Sequence, residues 1–287
     1  MGKAIIMKTI LVATDFSQAA QNACLYAMEL ARAFNAGVIL VSAYQQLPVP
    51  VTEVPVILSQ EDMGRYVKEQ LEQEAALVNR AGIMPLETVS MEGVASSGIL
   101  KTAKDYNADI IIVGMKEAGK GIRKMFGSTV TTLARRTTIP LIVVPAGASY
   151  ANIDAIALAN ESDIDPESNV HLLDALGEIT TKFASRLYLV RVAEKGFREA
   201  YEANNRPAGL QRKLWNLQPE YKCIEGKDIP RALNRFISCY HINMLALMPH
   251  QHSLLESWFV KSTTRAVIFD TSIPLLVLPG RRSEEAN

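Results

Sequence analysis

Apolar residues in this chain fall into short unbroken runs, separated by stretches in which they recur with helical spacing. The first run, Lys8 to Thr14 (KTILVAT), is rich in β-branched residues and stops at Asp15. Such a run is apolar on both faces, as in a strand of a parallel sheet covered on both sides. An Ala- and Leu-rich helical stretch follows to Phe34, with Asp15 or Ser17 as its candidate cap. Asn35-Ala36-Gly37 ends it, and Val38 to Tyr44 is a second strand. Residues 45–60 carry three prolines without a period and read as a surface excursion. The pattern then predicts a helix over 61–82, a strand from Leu86 to Met91 and a helix from Ser96 to Asn107. A strand from Ala108 to Met115, a helix from Ser128 to Arg136 and a strand from Ile139 to Val144 complete this half. Alternation of this kind implies right-handed βαβ units in a doubly wound α/β sheet.

The order recurs in the second half. Strands are expected at Ala155 to Ala159, Leu187 to Val192, 219–224, Asn243 to Leu247 and Ile273 to Leu278. Helices are expected at 166–185, 228–240 and 254–269, with a helix-prone insertion at 195–216. One fixed offset of 134 maps IPLIVVP (139–145) onto IPLLVLP (273–279), identical at five of seven positions. The same offset carries Ser128-Thr129 onto Ser262-Thr263 and the strand at 108–115 onto 242–249. This is internal duplication. The chain is read as two tandem domains, 1–147 and 151–287, each with a five-stranded parallel sheet.

Composition narrows the partners. Thirty Lys and Arg balance 30 Asp and Glu, and each half lies within about one charge of neutral, which argues against a protein that wraps nucleic acid, where a basic face is expected. The polybasic signal for an anionic membrane is missing too. No stretch of about 18 uninterrupted apolar residues occurs. Together with an N-terminus that runs straight into the first strand, this gives a cytoplasmic protein as the expectation. Cys24, Cys223 and Cys239 form no C-x-x-C pair, and Cys24, on an apolar helix, is expected to be a buried free thiol.

The chemistry concentrates after the fourth strand. Gly114 to Thr129 holds four glycines and four cations (Lys116, Lys120, Arg123, Lys124) within 16 residues. Ligands of open α/β sheets bind outside the carboxyl ends of the strands, where this loop begins. Glycines such as Gly119 allow the backbone close to a phosphate, and Gly127-Ser128-Thr129 opens the next helix, whose free N–H groups and dipole favour an anion. Turn formation, helix capping and surface solvation explain each feature singly; anion binding explains them together. The loop is neither a P-loop nor a dinucleotide fingerprint.

Ala13-Thr14-Asp15 closing the first strand, Gly114 closing the fourth, Gly127-Ser128, and the ending IPLIVVP resemble the universal stress protein family. The resemblance covers the first half and, through the repeat, weakly the second. It implies an adenine nucleotide alpha hydrolase-like sheet and an ATP site of pattern Gly-x2-Gly-x9-Gly-Ser/Thr, with or without Mg²⁺. By that similarity Asp15 contacts the ribose or adenine, backbone near Ala43 meets the adenine edge, and Gly114, Gly127, Ser128 and Thr129 hold the phosphates. The chain departs from the pattern at Glu117, where the second glycine belongs. Gly119 and Gly121 supply flexibility there, and Lys116 with its neighbouring cations offsets the carboxylate. Single-domain members pair through their final strands, which implies an intramolecular pseudo-dimer here; a further homodimer is compatible with it.

The second half lacks these features. The offset puts Met248, Gln251 and Lys261 where Gly114, Glu117 and Gly127 stand, and 248–261 contains no glycine. Glu161 replaces Asp15, and Trp258 and Phe259 put bulk where phosphates need room. This half reads as a degenerate copy that kept the fold. Trp215 and Trp258 are expected to pack, one of them over the vacated site. His250-x-His252 with His241 has no acidic or cysteine partner nearby, so a metal site is not expected.

Three functions fit to different degrees. The leading one is an ATP- or adenine-nucleotide-binding regulatory protein with an unidentified protein partner. No catalytic constellation supports turnover, so slow hydrolysis or autophosphorylation at Ser128 or Thr129 is the upper limit. The alternative is a nucleotide-free scaffold acting through 45–60 and 195–216. An N-type ATP pyrophosphatase is disfavoured, because S-G-G-x-D-S does not follow the first strand.

Overall fold

The computed structural model describes residues 7–45, 60–80, 82, 84–115, 127–159, 172–193, 214–226, 228–248 and 272–278. Ten strands form one sheet: β1 (Thr9–Ala13), β2 (Gly37–Tyr44), β3 (Leu86–Glu92), β4 (Ile110–Met115), β5 (Leu141–Pro145), β6 (Ala155–Ala159), β7 (Arg186–Ala193), β8 (Glu220–Glu225), β9 (Met244–Leu247) and β10 (Leu275–Val277). The described helices are α1 (Gln18–Phe34), α2 (Gln60–Val78), α3 (Ala95–Asp105), α4 (Ser128–Arg136), α5 (Leu172–Phe183) and α6 (Ile229–Tyr240). The strand order is β3-β2-β1-β4-β5-β10-β9-β6-β7-β8, and β5–β10 is the antiparallel pair in an otherwise parallel sheet.

That order reads the same from both ends once the repeat is applied. β10 is the counterpart of β5, and Ile142 faces Leu276, its own equivalent at the offset of 134, with Leu141 facing Val277 and Val143 facing Leu275. Local hydrogen bonds repeat as well. Ala108 N–H donates to the Ala103 carbonyl and Ile242 N–H to that of Ile237; Ile111 N–H donates to Pro140 and Leu245 N–H to Pro274. Asp109 accepts the amides of Lys8 and Thr9, while its equivalent Asn243 accepts that of Ala155. The antiparallel junction turns the carboxyl ends of the strands of each half towards opposite edges of the sheet.

Both faces are apolar, as the unbroken runs require. Ile10, Val12, Ile110, Ile112, Ile142 and Val144 join α1 and α2 in one core, whereas Leu11, Ile111, Val113, Leu141 and Val143 join α3 and α4 in the other. On the first face the halves also meet edge to face through Phe34 and Phe183, with centroids 6.1 Å apart, and Met7 N–H donates to Glu178 Oε2 at 3.2 Å.

Several expected boundaries move. The α1 cap resolves to Ser17, whose hydroxyl accepts from Ala20 N–H, and Asn35 closes the helix in the left-handed region. α2 stops at Val78 rather than 82, because the Asn79 side chain bonds both the carbonyl and the amide of Met84 and turns the chain. β4 starts at Ile110, since Ala108 and Asp109 are spent on closing α3 and holding β1. Trp215, expected to pack, is 70 % exposed at the start of a 3₁₀ turn (Trp215–Leu217). Lys116, Glu117, Gly119, Lys120, Gly121, Arg123 and Lys124 lie outside the described residues, as do 46–59 of the expected 45–60 excursion, most of the 195–216 insertion, and Glu161. So do His250, Gln251, His252, Trp258, Phe259, Lys261, Ser262, Thr263 and the helix expected over 254–269.

Candidate functional site

The strand order reverses between β1 and β4, and in a doubly wound sheet the crevice at that point, outside the carboxyl ends, is where ligands bind. Thr14 N–H donates to Val41 O at 2.9 Å, prolonging the β1–β2 ladder by one residue. Ala13 is level with Val41 on one side and Val113 on the other. The sheet therefore brings Ala13, Thr14, Asp15, Ala43 and Gly114 to one edge. Gly127, Ser128 and Thr129 open α4, which joins the parallel neighbours β4 and β5 and so starts from that same edge.

The turn after β1 is shaped by side chains. Phe16 N–H donates to Thr14 Oγ1 at 2.9 Å, and the Ser17 amide donates to Asp15 Oδ1 at 3.1 Å. The Ser17 hydroxyl bonds the same carboxylate oxygen. Phe16 adopts φ 59°, a conformation costing a bulky residue on the order of 1 kcal/mol. Asp15 is left exposed at the rim.

The two glycines of the candidate loop that are described differ in kind. A Cβ on Gly114 would meet the Ala19 carbonyl oxygen at 2.4 Å and Ala20 N at 2.8 Å, so this glycine lets the first turn of α1 rest on β4. A Cβ on Gly127 would meet nothing within 4 Å. Gly127 is the N-cap of α4, no side chain caps the helix, and Ser128 is exposed. Among the described residues nothing stands beside the Gly127 α-carbon and no side chain caps the first-turn amides, which leaves an anion's oxygens room to approach there, and Asp15 offers hydrogen-bond acceptors to hydroxyl groups.

Two positioning features escaped the sequence reading. Asn22 Nδ2 donates to Pro145 O at 3.0 Å and Ala148 O at 2.6 Å, tying α1 to the end of β5. Glu74 of α2 is buried behind the turn. Burial raises its carboxyl above the ordinary 4.5, hydrogen bonds with Thr14 and Cys24 offset part of that rise, and the nearby Asp15 adds to it. Cys24 is the buried thiol expected, and burial followed by the Glu74 charge pushes its ionisation well above the usual range. The signal that finds Glu74 is its phase: Val67, Leu71, Glu74 and Val78 line one helix face.

A raised carboxyl has a fixed sign. The unfolded chain ionises Glu74 first, so the stability present below about pH 4.5 falls as pH rises towards the folded value. Glu74→Leu is accordingly expected to be more stable than the wild type at pH 7, with the gap closing towards pH 4. Urea unfolding across that range measures it; a gap independent of pH would show that folding leaves the ionisation of this carboxyl unshifted.

Among the described residues no helix is long and apolar enough to cross a membrane, and no cluster of His, Cys, Asp and Glu could hold a metal ion.

The universal stress protein family model matches residues 7–145. A universal stress protein of Synechocystis is 28% identical over 144 residues, covering 50% of this chain and 89% of that relative. One of Thermus aquaticus is 25% identical over 139 residues, covering 48% of this chain and 99% of its own length. The crystal structure of a universal stress protein from Archaeoglobus fulgidus superposes with TM-score 0.71 over 95% of this chain and 98% of that one, at 16% identity. That likeness extends the fold across both halves, whereas the family model matches only within the first. Residues 7–145 thus match the universal stress protein family, and the remainder of the chain shares the fold.

Proposed function

We propose that this chain is a nucleotide-binding regulatory protein in which residues 1–147 hold ATP, with or without Mg²⁺, and residues 151–287 are a second, degenerate domain. The observation that carries the reading is the uncapped, open N-terminus of α4 at the sheet edge that also presents Asp15. The triphosphate would lie against the amides of Gly127, Ser128 and Thr129, assisted by Lys116 and Gly119, and the ribose or adenine against Asp15 and the backbone near Ala43. Gly114 serves by seating α1. Binding rather than turnover is the activity proposed, with the bound nucleotide altering the surface offered to a protein partner in the cytoplasm. The continuous sheet through β5 and β10 supports reading the two halves as an internal pseudo-dimer. The alternative, a nucleotide-free scaffold, draws support from the exposed Trp215 within the 195–216 insertion.

Calorimetry with ATP tests the proposal. The wild type is expected to bind, Asp15→Ala about tenfold more weakly through loss of a charge-assisted hydrogen bond. Gly127→Glu should abolish binding by placing a carboxylate among the phosphates, yet leave stability within about 0.5 kcal/mol because its Cβ enters open space. No heat from the wild type at millimolar ATP would sink the proposal in favour of the scaffold.

A further inference from the structure

Between the last turns of α3 and α4 and the start of β5 lies an open cleft of about 540 Å³, within the size range of small-molecule sites. It sits at the amino ends of β4 and β5, the edge opposite to the one that presents Asp15 and Gly127. Leu100, Ala103, Ala108 and Ile139 give it an apolar lining, and the exposed Lys104 and Arg136 complete it. Neither cation has an ion-pair partner among the described residues, and Asp105, next to Lys104, is bound to Lys101 at 2.6 Å. No described carboxylate lines the cleft. Its wall at 137–139 is held from within: the Thr137 hydroxyl accepts the Ile139 amide at 2.9 Å and donates to the Ile139 carbonyl at 2.7 Å.

The duplication supplies an internal control. At the offset of 134 the backbone repeats, with Asn107 and His241 both left-handed at φ 51° and 49°, and the bond from Ala108 to Ala103 matched by that from Ile242 to Ile237. The side chains do not repeat. Ile237 and Ile242 stand in place of Ala103 and Ala108, Ser238 in place of Lys104, and Asp270, outside the described residues, aligns with Arg136. The fold therefore does not require this room: two small residues open it in the first half, beside two charges that the second half lacks. Cations in a last helical turn also suit the helix dipole, which explains the charge but not the space.

We infer that this cleft is a second ligand site, for a small organic acid whose apolar body lies against Ala103, Ala108 and Ile139 and whose carboxylate turns to Lys104 and Arg136. It shares no residue with the nucleotide site, so its test stands whether or not ATP binds. Titration of the full chain with 1-naphthoate, followed by amide shifts at 103–108 and 136–139, is expected to saturate with a Kd of about 1 mM. Acetate, without an apolar body, and neutral 1-naphthalenemethanol should each bind about tenfold more weakly. Lys104→Ser combined with Arg136→Ser should weaken naphthoate about tenfold, each exposed cation contributing about threefold, and leave the alcohol unchanged. Adsorption to any apolar surface would not give that split. Ala103→Ile, the residue of the second half, should remove both ligands by filling the cleft; where that variant does not fold, the serine pair carries the test alone. Equal naphthoate affinity in the wild type and the serine pair, or shifts spread beyond the cleft, overturns the inference.

Discussion

Gly114→Ala is expected to cost about 3 kcal/mol of stability, far more than one methyl group on a strand usually does. The added Cβ would stand 2.4 Å from the Ala19 carbonyl oxygen, 2.6 Å from its carbon and 2.8 Å from Ala20 N. These are backbone atoms in the first turn of α1, so no rotamer change relieves the overlap and the helix itself must lift. Lifting strains what holds α1 at both ends of that turn, namely the Ser17 cap and the Asn22 side chain bonded to Pro145 and Ala148. It also disturbs the Asp15 turn, so the variant should lose ATP affinity together with stability. Gly127→Ala is the control, with an open Cβ and stability near that of the wild type. Denaturant midpoints for the two variants check the contrast; equal losses would mean that α1 does not rest on β4 as described.

That contrast shows how far a glycine can be read without coordinates. Gly114 and Gly127 are both visible as glycines in a cation-rich loop, and by sequence one reason, phosphate approach, fits both. Packing of a neighbouring helix supplies a second reason for Gly114, and it depends on how α1 crosses β4, which no local spacing encodes. The strands themselves were legible, because a sheet covered on both faces leaves runs of apolar residues such as Ile110 to Val113. The sheet junction was not legible in the residues themselves: the duplication relates Ile142 to Leu276, but that these two pair is a finding of the structure, expected only through the family resemblance. Glu74 was hidden by its company: α2 also carries Glu61, Asp62, Glu69 and Glu72, and only the phase relative to Val67 and Leu71 sets it apart. Trp215 had no phase at all, since a three-residue turn has no buried face to predict, and it proved exposed.

The junction carries the other large expected effect. One row of residues crosses all ten strands at the same level: Thr88, Leu40, Val12, Ile112 and Ile142 in one half, then Leu276, Ala246, Leu158, Leu189 and Tyr221 in the other. Ile142 and Leu276 stand at its centre, each with no exposed surface and each in the core shared with α1 and α5. Truncating either to alanine removes buried methyl groups where both faces are already covered, so each change is expected to cost about 3 kcal/mol. The two side chains face one another across the antiparallel pair, so the double variant should cost less than the sum of the singles by about 1 kcal/mol. Sharing a core also ties the halves into one unfolding unit, and the single variants should lower its midpoint while keeping one transition. The comparison is specific to the pair: Ile110, equally buried on the same core face, lies opposite Ile10 rather than the second half, and its loss should add to that of Leu276 without coupling. Strict additivity for Ile142 and Leu276 in urea unfolding would mean that the sheet does not run continuously through β5 and β10 in solution.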